Sequence, residues 1–319
     1  MASFRLGIPY KGSKNAIAGE IIEQLPPAEV FVDLFCGGGA VTQAAMMSGK
    51  YKRFIMNDIE EAPVKLFRQA VNGEFKNEKR WISREDFFKL KDTEPYVKYC
   101  WSFSYNGRDY LYCKEIEPWK KALHYARVLH DYSEFERMGI HTDGSKEDIL
   151  QHLGEYFEKY RKFVELESLE SLQSLERLQS LERLQSLESL QRLESLQRLE
   201  RLQRLERLQR LERLQSLESK VGDYQNVDIP ADSVIYCDIP YKGTDVYEKQ
   251  SFDYERFYKW ARQQKNIFIS EYSMPEDFIC VWAKNKTVLV NQNGADGYAL
   301  EKLYTTKENE NKPITFFEF

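Results

Sequence analysis

Two short stretches of this 319-residue chain carry residue types that suit group-transfer chemistry. In the first, Asp33 lies at the end of an apolar run of strand length, and three consecutive glycines, Gly37–Gly39, follow it. Glycine lets the backbone approach a ligand closely, and the helix predicted next offers unpaired N–H groups. This stretch therefore predicts a ligand cradle, with a generic tight turn between strand and helix as the alternative.

The second stretch reads Asp238-Ile239-Pro240-Tyr241 and directly follows a predicted buried strand over residues 233–237. Pro240 fixes the backbone between a carboxylate and an aromatic ring. Asp238 and the Ile239 carbonyl could accept from an amino group while Tyr241 stacks on a planar base. Four residues are a weak signal alone, but their place at a strand end, downstream of the cradle, strengthens it.

Two further segments support a ligand site near the cradle. Asp58 follows the next predicted strand, about twenty residues beyond the cradle, where an acid can accept from the hydroxyls of a bound ribose. Residues 7–14 (GIPYKGSK) bring Tyr10 and Lys14 to a glycine-rich loop that would suit closure over a small anionic group. A solvated loop before a helix is the simpler interpretation of that segment.

The elements around these residues alternate between helix and strand. A helix from Ile17, the cradle strand and helix, a strand over 53–56 and a helix opened by Pro63 form an αβαβα start. Further predicted elements are a helix over 254–264, a turn marked by Gly294 and Gly297, and strands over 233–237, 266–270, 281–284, 287–291, 303–305 and 314–319. This order predicts an α/β fold: a doubly wound, Rossmann-like sheet with an antiparallel tail.

Between about residues 73 and 164 the periodicity becomes irregular, and aromatic and basic residues are interleaved. Aromatic rings stack on bases and cations hold phosphates, so this mixture favours a mostly helical target-recognition subdomain for nucleic acid. Most of the aromatics are expected to form that subdomain's own core, and a helix is predicted over 147–164. Four polar residues are the candidate DNA contacts: Asn106, Arg108, Lys120 and Lys121.

A repeat occupies the next part of the chain, where leucine takes every third position from Leu166 to Leu217. A period of three matches neither the coiled-coil seam nor the helical period. The residue types are nonetheless strong helix formers, so a long helix is favoured, with a solenoid or a collapsed segment as alternatives. The repeat carries no His, Cys, Asp, Lys or aromatic residue, which leaves a spacer or self-association role as the hypothesis. Deleting residues 172–214 without loss of activity or oligomeric state would exclude both roles.

Composition sets the class of protein. Hydrophobic residues make up 42% of the chain and the net charge is −5, so any DNA contact must come from a local basic face. The five cysteines are scattered without metal-ligand spacing, and no apolar segment is long enough for a bilayer. We expect a soluble cytoplasmic protein without a metal, divided into segments 1–72, 73–164, 165–219 and 220–319.

Taken together, the motifs resemble the Dam-type DNA adenine-N6 methyltransferases, in a phage or prophage version. The family order is a lysine-bearing N-terminal loop, a DxFxGxG cradle, a target-recognition region and a (D/N)PPY run. Here these are YKGSK at 10–14, DLFCGGG at 33–39, the aromatic and basic region, and DIPY at 238–241. The resemblance covers nearly the whole chain except the repeat, which looks inserted. Ile239 stands where the family usually has proline, but its carbonyl is retained, so activity is expected.

The resemblance implies an S-adenosylmethionine site made of Tyr10, Lys14, Asp33, Phe35, Gly37, Gly39 and Asp58. Within it, Asp58 would bind the ribose hydroxyls, and Tyr10 and Lys14 would hold the methionine end. The target adenine would leave double-stranded DNA by base flipping and donate its amino hydrogens to Asp238 and the Ile239 carbonyl. Two other functions stay open at this point: methyl transfer to RNA or a protein glutamine, and a catalytically inactive DNA- or partner-binding protein.

Overall fold

A single mixed sheet forms the centre of the molecule. The computed structural model describes residues 5–145, 148–149, 151–156, 197–209, 216–241, 252–289 and 296–307. Seven strands are arranged in the order β3-β2-β1-β4-β5-β7-β6. Their bounds are β1 Val30–Asp33, β2 Arg53–Asp58, β3 Ser216–Val221, β4 Ser233–Asp238, β5 Ile267–Glu271, β6 Phe278–Leu289 and β7 Asp296–Thr306.

The helices lie on both faces of this sheet. Their bounds are α1 Ala18–Gln24, α2 Ala40–Ser48, α3 Glu61–Val71, α4 Arg84–Leu90, α5 Pro95–Cys100, α6 Glu117–His124, α7 Ser133–Arg137, α8 Gln197–Gln209 and α9 Tyr254–Ala261. The first five elements run α1-β1-α2-β2-α3, as predicted, although α3 begins at Glu61 and places Pro63 inside its first turn. In the described part of the chain, no helix is long and apolar enough to cross a membrane.

Strand pairing confirms the predicted doubly wound sheet with its antiparallel tail. Strands β1 to β5 pair in parallel, and β7 pairs antiparallel with both β5 and β6. Phe31 packs with the core of α1, α2 and α3, whereas its neighbours Val30 and Val32 pack with α9. Alternate residues thus face opposite layers, which is why the parallel strands are apolar throughout.

The aromatic region is mostly helical and most of its rings are buried, as expected, but they belong to the same core as α1, α2 and α3. Its buried aromatics include Tyr96, Tyr99, Trp101, Tyr110, Tyr112 and Trp119. Three of its described rings are exposed instead: Phe103 at 59%, Phe88 at 51% and Tyr132 at 39%. Residues 148–149 and 151–156 are helical, in agreement with the predicted helix, whose remaining residues lie outside the described part.

The antiparallel tail differs from the prediction. One strand, β6, runs where two strands over 281–284 and 287–291 were predicted. The polar run Lys284–Lys286 interrupts the apolar pattern, but its backbone pairs with β7 without a break, and ladder hydrogen bonds need no apolar side chain. Strand β7 also extends well before the predicted 303–305 and includes Gly297. Gly294 and the strand predicted over 314–319 lie outside the described residues.

The end of the repeat is part of this fold. Helix α8 packs on α3 and α5, and Leu202, Leu205 and Leu208 are buried in the main core. A three-residue step rotates a side chain by about 60° relative to a full helical turn, so three successive leucines span only about 120°, one broad face. Strand β3, which the sequence did not predict, pairs in parallel with β2 and aligns Leu217 with Phe54. The segment boundary between residues 219 and 220 falls inside this strand.

Candidate active site

The strand order creates a switch point between β1 and β4. These neighbouring parallel strands align Asp33 with Tyr236, and the Leu34 N–H donates to the Tyr236 carbonyl at 3.0 Å. Gly37, which follows β1, and Asp238, the last residue of β4, therefore lie at the same edge of the sheet. In open α/β sheets, ligands bind outside the carboxyl ends of the strands at such a point.

The cradle has a backbone that only glycine adopts readily. Gly37 and Gly39 have φ of 45° and 67°, and a Cβ on Gly39 would lie 2.5 Å from the ring of Phe67 in α3. The Gly37 N–H donates to Asp58 Oδ2 at 2.8 Å, and the Glu60 N–H donates to Asp58 Oδ1 at 3.0 Å. Asp58 thus ties the glycine turn to the end of β2, at the position from which it was expected to reach a ribose.

The N-terminal loop lies directly on the cradle. The Ile8 N–H donates to the Gly38 carbonyl at 2.8 Å, and the Gly7 N–H donates to Gln43 Oε1 at 2.6 Å. A Cβ on Gly38 would approach Tyr10 Cβ to 2.6 Å, so this glycine is needed for the close approach of the loop. Tyr10 is consequently held beside the turn.

Asp33 and Phe35 present two different surfaces at the end of β1. Asp33 is 1% exposed and accepts from Thr42 Oγ1 at 2.7 Å. Its Oδ1 has no hydrogen-bond partner among the described residues, and burial raises the pKa of its carboxyl to about 7. The half-buried ring of Phe35 packs against Tyr224 and Phe257 on the other side of the sheet. A buried acceptor without a protein partner suits a ligand that donates a hydrogen bond.

Charged groups from three elements meet at the end of β4. Lys14 Nζ lies 2.7 Å from Asp238 Oδ1 and 3.6 Å from Glu301 Oε1. The same ammonium lies 4.5 Å from the centroid of the Tyr241 ring, whose hydroxyl donates to Glu301. One cluster therefore contains residues from the N-terminal loop, DIPY and β7, which lie far apart in the sequence.

The electrostatics of this cluster set its protonation. Burial tends to lower the pKa of Lys14, but attraction to Asp238 and Glu301 outweighs that effect and leaves it raised. Burial, reinforced by the charges of Asp238 and Glu301, raises the pKa of Tyr241 well above its ordinary value. At neutral pH the cluster therefore holds a protonated lysine and a neutral phenol.

The backbone of DIPY is held from α9 and β5. Tyr254 Oη donates to the Pro240 carbonyl at 2.9 Å, and the Tyr272 ring packs edge-on against Tyr241 with centroids 4.5 Å apart. Ile239 is 1% exposed and packs in the core on the α9 side of the sheet, so the residue that departs from the family pattern is anchored by burial.

Sequence reasoning missed Glu301, Tyr254 and Tyr272. One signal could have found Glu301: it shares a strand face with Leu303 and Thr305, which marks it as an acid at an inward position. Tyr254 and Tyr272 carry no local signal, because only the packing of α9 and β5 brings them to DIPY.

The four candidate DNA contacts occupy different environments. Asn106 shapes its own turn, because its Oδ1 accepts from the Arg108 and Asp109 N–H groups. The side chain of Arg108 is exposed on that turn. Lys121 pairs with Glu134 at 3.1 Å. Lys120 is 3% exposed and its ammonium lies 5.8 Å from the Tyr112 ring centroid, so the structure places it inside the aromatic region.

No group of three or more His, Cys, Asp or Glu side chains that could hold a metal ion occurs among the residues that the structure describes. The described site consists of a glycine turn with a buried acceptor and a charged cluster around an aromatic ring.

Comparison with known proteins gives two results. Among solved structures, the chain is similar to the rRNA methyltransferase aviRa from Streptomyces viridochromogenes, with 11% identity and a TM-score of 0.33 over 93% of this chain and 86% of that chain. Residues 10–138, which include Tyr10 and Lys14, the cradle and most of the aromatic region, match the family model of the D12 class N6 adenine-specific DNA methyltransferases. That match supports a DNA methyltransferase that acts on adenine.

Proposed function

We propose that this chain transfers the methyl group of S-adenosylmethionine to the N6 amino group of adenine in a specific sequence of duplex DNA, with the target base flipped out. The observation that carries the proposal is the shared sheet edge of the glycine cradle and DIPY. Asp238 ends β4 and Tyr241 follows it, and β4 lies directly beside β1, the strand that leads into the cradle. A methyl donor and a methyl acceptor bound by these two motifs would therefore meet.

The residues of the cradle suit S-adenosylmethionine. Its sulfonium supplies an activated methyl group. The glycines give the turn its positive φ and let Tyr10 and Phe67 pack closely against it. The unpartnered Oδ1 of Asp33 can accept from an amino group or a hydroxyl. Asp58, which is partly exposed beside Gly37, lies at the strand end where such folds bind a ribose. Tyr10, Lys14 and Phe35 border the same edge and complete the proposed site.

DIPY suits an adenine amino group. The lone pair of this nitrogen is delocalised into the ring, so two acceptors, Asp238 and the Ile239 carbonyl, would favour a tetrahedral nitrogen with its lone pair directed at the methyl group. Tyr241 would stack on the base. As the N–C bond forms, the S–C bond breaks and the thioether leaves, while one N6 proton passes to solvent past Asp238. Positioning and electrostatic stabilisation supply the catalysis.

The DNA contact is local, because the chain as a whole is acidic. The turn after α5 carries exposed Arg108 together with exposed Phe103, one cation for phosphate or guanine and one ring for stacking. Asn106 supports this turn, and Lys121 lies at the end of α6. We assign Arg108 and Phe103 the leading roles in contacting DNA.

The proposal is tested with purified full-length chain, labelled S-adenosylmethionine and unmethylated duplex DNA, with N6-methyladenine detected by mass spectrometry. Asp238→Ala should lower the rate by at least about 100-fold because an acceptor to the amino group is lost. Asp232→Ala is the matched control, since Asp232 is exposed at the other end of β4.

Label incorporated into RNA or protein but not into DNA would overturn the proposed substrate. Methyl transfer that persists in Asp238→Ala would overturn the role of Asp238. Sequencing the methylated sites would then define the recognition sequence.

A further inference from the structure

Two arginines of the repeat helix α8 are buried. Arg201 is 6% exposed and Arg204 is 4% exposed, whereas Gln203 between them is exposed. A guanidinium removed from water is costly unless its N–H groups find acceptors. The acceptors that these two side chains find are backbone carbonyls of two distant segments.

Arg201 binds the start of the turn after α5, residues 101–110, which is called the recognition turn below because it carries Phe103 and Arg108. Its Nη1 donates to the carbonyls of Cys100 and Ser102 at 2.8 and 2.9 Å. Its guanidinium also lies 4.4 Å from the centroid of the Tyr105 ring. The hydroxyl of Ser102 accepts from the Gly107 N–H at 3.1 Å, which links this anchor to the turn that carries Arg108.

Arg204 binds the start of the N-terminal loop. Its Nε donates to the Gly7 carbonyl at 2.6 Å, and its Nη2 donates to the Leu6 carbonyl. Burial lowers the pKa of Arg204 to about 10, which still leaves it charged at neutral pH. The chain continues from Gly7 into Ile8, which pairs with the cradle, and on to Tyr10 and Lys14.

The repeat places these arginines by its own pattern. The third position of each unit is Ser or Arg, and it is Arg in every unit from Arg198 to Arg213, which includes the units that form α8. Side chains three residues apart on a helix lie on adjacent parts of one face. Arg201 and Arg204 can therefore reach two different segments from the same helix, which the shorter serine side chain could not do.

We propose that α8 is a clamp that holds the cofactor-binding loop and the DNA-recognition turn in a fixed relative position, with Arg204 and Arg201 as the positioning residues. The names of the two segments rest on the proposed function. The clamp itself rests on the hydrogen bonds of α8. The repeat then contributes to the reaction through this helix, in addition to any role as a spacer.

The test compares Arg204→Lys and Arg201→Lys in the full chain, with Gln203→Ala as the control. Lysine keeps the charge but loses the planar fork of donors. Arg204→Lys should weaken S-adenosylmethionine binding, measured by calorimetry, by about tenfold and leave DNA affinity within about twofold. Arg201→Lys should weaken binding of a duplex that carries the methylated sequence by about tenfold and leave S-adenosylmethionine affinity within about twofold.

Hydrogen exchange supplies a readout that does not depend on activity. Arg204→Lys should speed exchange in residues 8–14, and Arg201→Lys should speed it in residues 101–111, with the other segment unchanged. In the unmutated chain under increasing denaturant, α8 should lose protection in the same opening as these segments, which tests the clamp even if a variant fails to fold.

A parallel weakening of both ligands in both variants would indicate a general loss of stability and overturn the clamp. No change in either segment would overturn it as well. An unmutated chain that binds no S-adenosylmethionine would overturn the proposed function instead, and hydrogen exchange would still decide whether α8 clamps the two segments.

Discussion

The glycine cradle and the repeat helix α8 both pack against α3, yet they are specified in opposite ways. The cradle depends on individual residues: Gly39 has a positive φ and lies against Phe67, where any Cβ would clash. Helix α8 is built from units that recur many times in the chain, and no single leucine of the repeat is distinct from the next. The comparison teaches that local conformation can be encoded by residue type, whereas the place of a repeated segment is decided by what it packs on.

The two regions also differ in what their polar groups do. In the cradle, Asp33 and Asp58 are acids at the strand ends where the proposed cofactor would bind. In α8, Arg201 and Arg204 are directed at the protein's own backbone. The first region would act on a substrate directly, and the second acts through the segments that it holds.

The largest expected effect tests whether α8 belongs to the core. Leu205 is fully buried, so Leu205→Ala should lower the free energy of unfolding by about 2–5 kcal/mol through lost burial and the cavity left behind. Leu129→Ala, at a leucine that is 42% exposed, is the control and should cost less than about 1 kcal/mol. Denaturant unfolding measures both. Equal and small losses would show that α8 is a dispensable spacer.

The next effect tests the cost of burying the Asp33 carboxylate. The folded pKa of Asp33 is about 7 against 3.8 for an ordinary aspartate, so the folded state holds this proton more tightly than the unfolded state. Stability from this group is full below about pH 4 and is lost as pH rises through about 7, by up to about 4 kcal/mol. Asp33→Asn keeps an acceptor for Thr42 and should remove this pH dependence.

The measurement is the free energy of unfolding of the unmutated chain and of Asp33→Asn from pH 4 to pH 8. The unmutated chain should lose stability relative to Asp33→Asn as the pH rises. Asp131→Asn is the control because the folded pKa of Asp131 is lowered, which places its titration below this window. Parallel curves for the unmutated chain and Asp33→Asn would contradict the raised pKa of the buried Asp33 carboxyl.

A smaller effect is expected at Glu301, which supports the charged cluster from β7. Glu301→Gln can still accept from Tyr241 but loses its attraction to Lys14, so kcat should fall about tenfold with a smaller change in KM. Because Glu301 raises the pKa of Lys14, the alkaline limb of the pH–rate profile should move to lower pH in the variant. Glu276→Gln, at an exposed position, is the control. An unchanged alkaline limb would assign Glu301 a purely structural role.

The smallest effect concerns the backbone of DIPY. Tyr254→Phe removes one hydrogen bond to the Pro240 carbonyl and should lower the methylation rate about threefold, in line with the roughly 0.5–1.5 kcal/mol of a neutral hydrogen bond. Tyr132→Phe, at a tyrosine that is 39% exposed, should have no effect. A loss as large as that of Asp238→Ala would show that Tyr254 does more than hold the backbone.

Several features could be predicted because their signals are local. The apolar runs of β1, β4 and β5 are buried on both faces and therefore stand out in the sequence. Strand β3 does not, because Ser216–Val221 is polar and becomes a strand through pairing with β2 at the sheet edge. The Lys14–Asp238 contact joins residues that lie far apart in the chain, and only the parallel arrangement of β1 and β4 brings their loops together.

The sequence alone determined the conformation of the glycine turn, the carboxylates at three strand ends and the alternation of helix and strand. Each of these depends on backbone freedom, burial and periodicity within a few neighbouring residues. The tertiary structure alone decided the partners of Glu301 and the packing of α8 on α3 and α5. Those outcomes depend on contacts across the fold. The units of the period-three repeat are nearly identical, so the sequence alone does not specify which arginine donates to which backbone carbonyl.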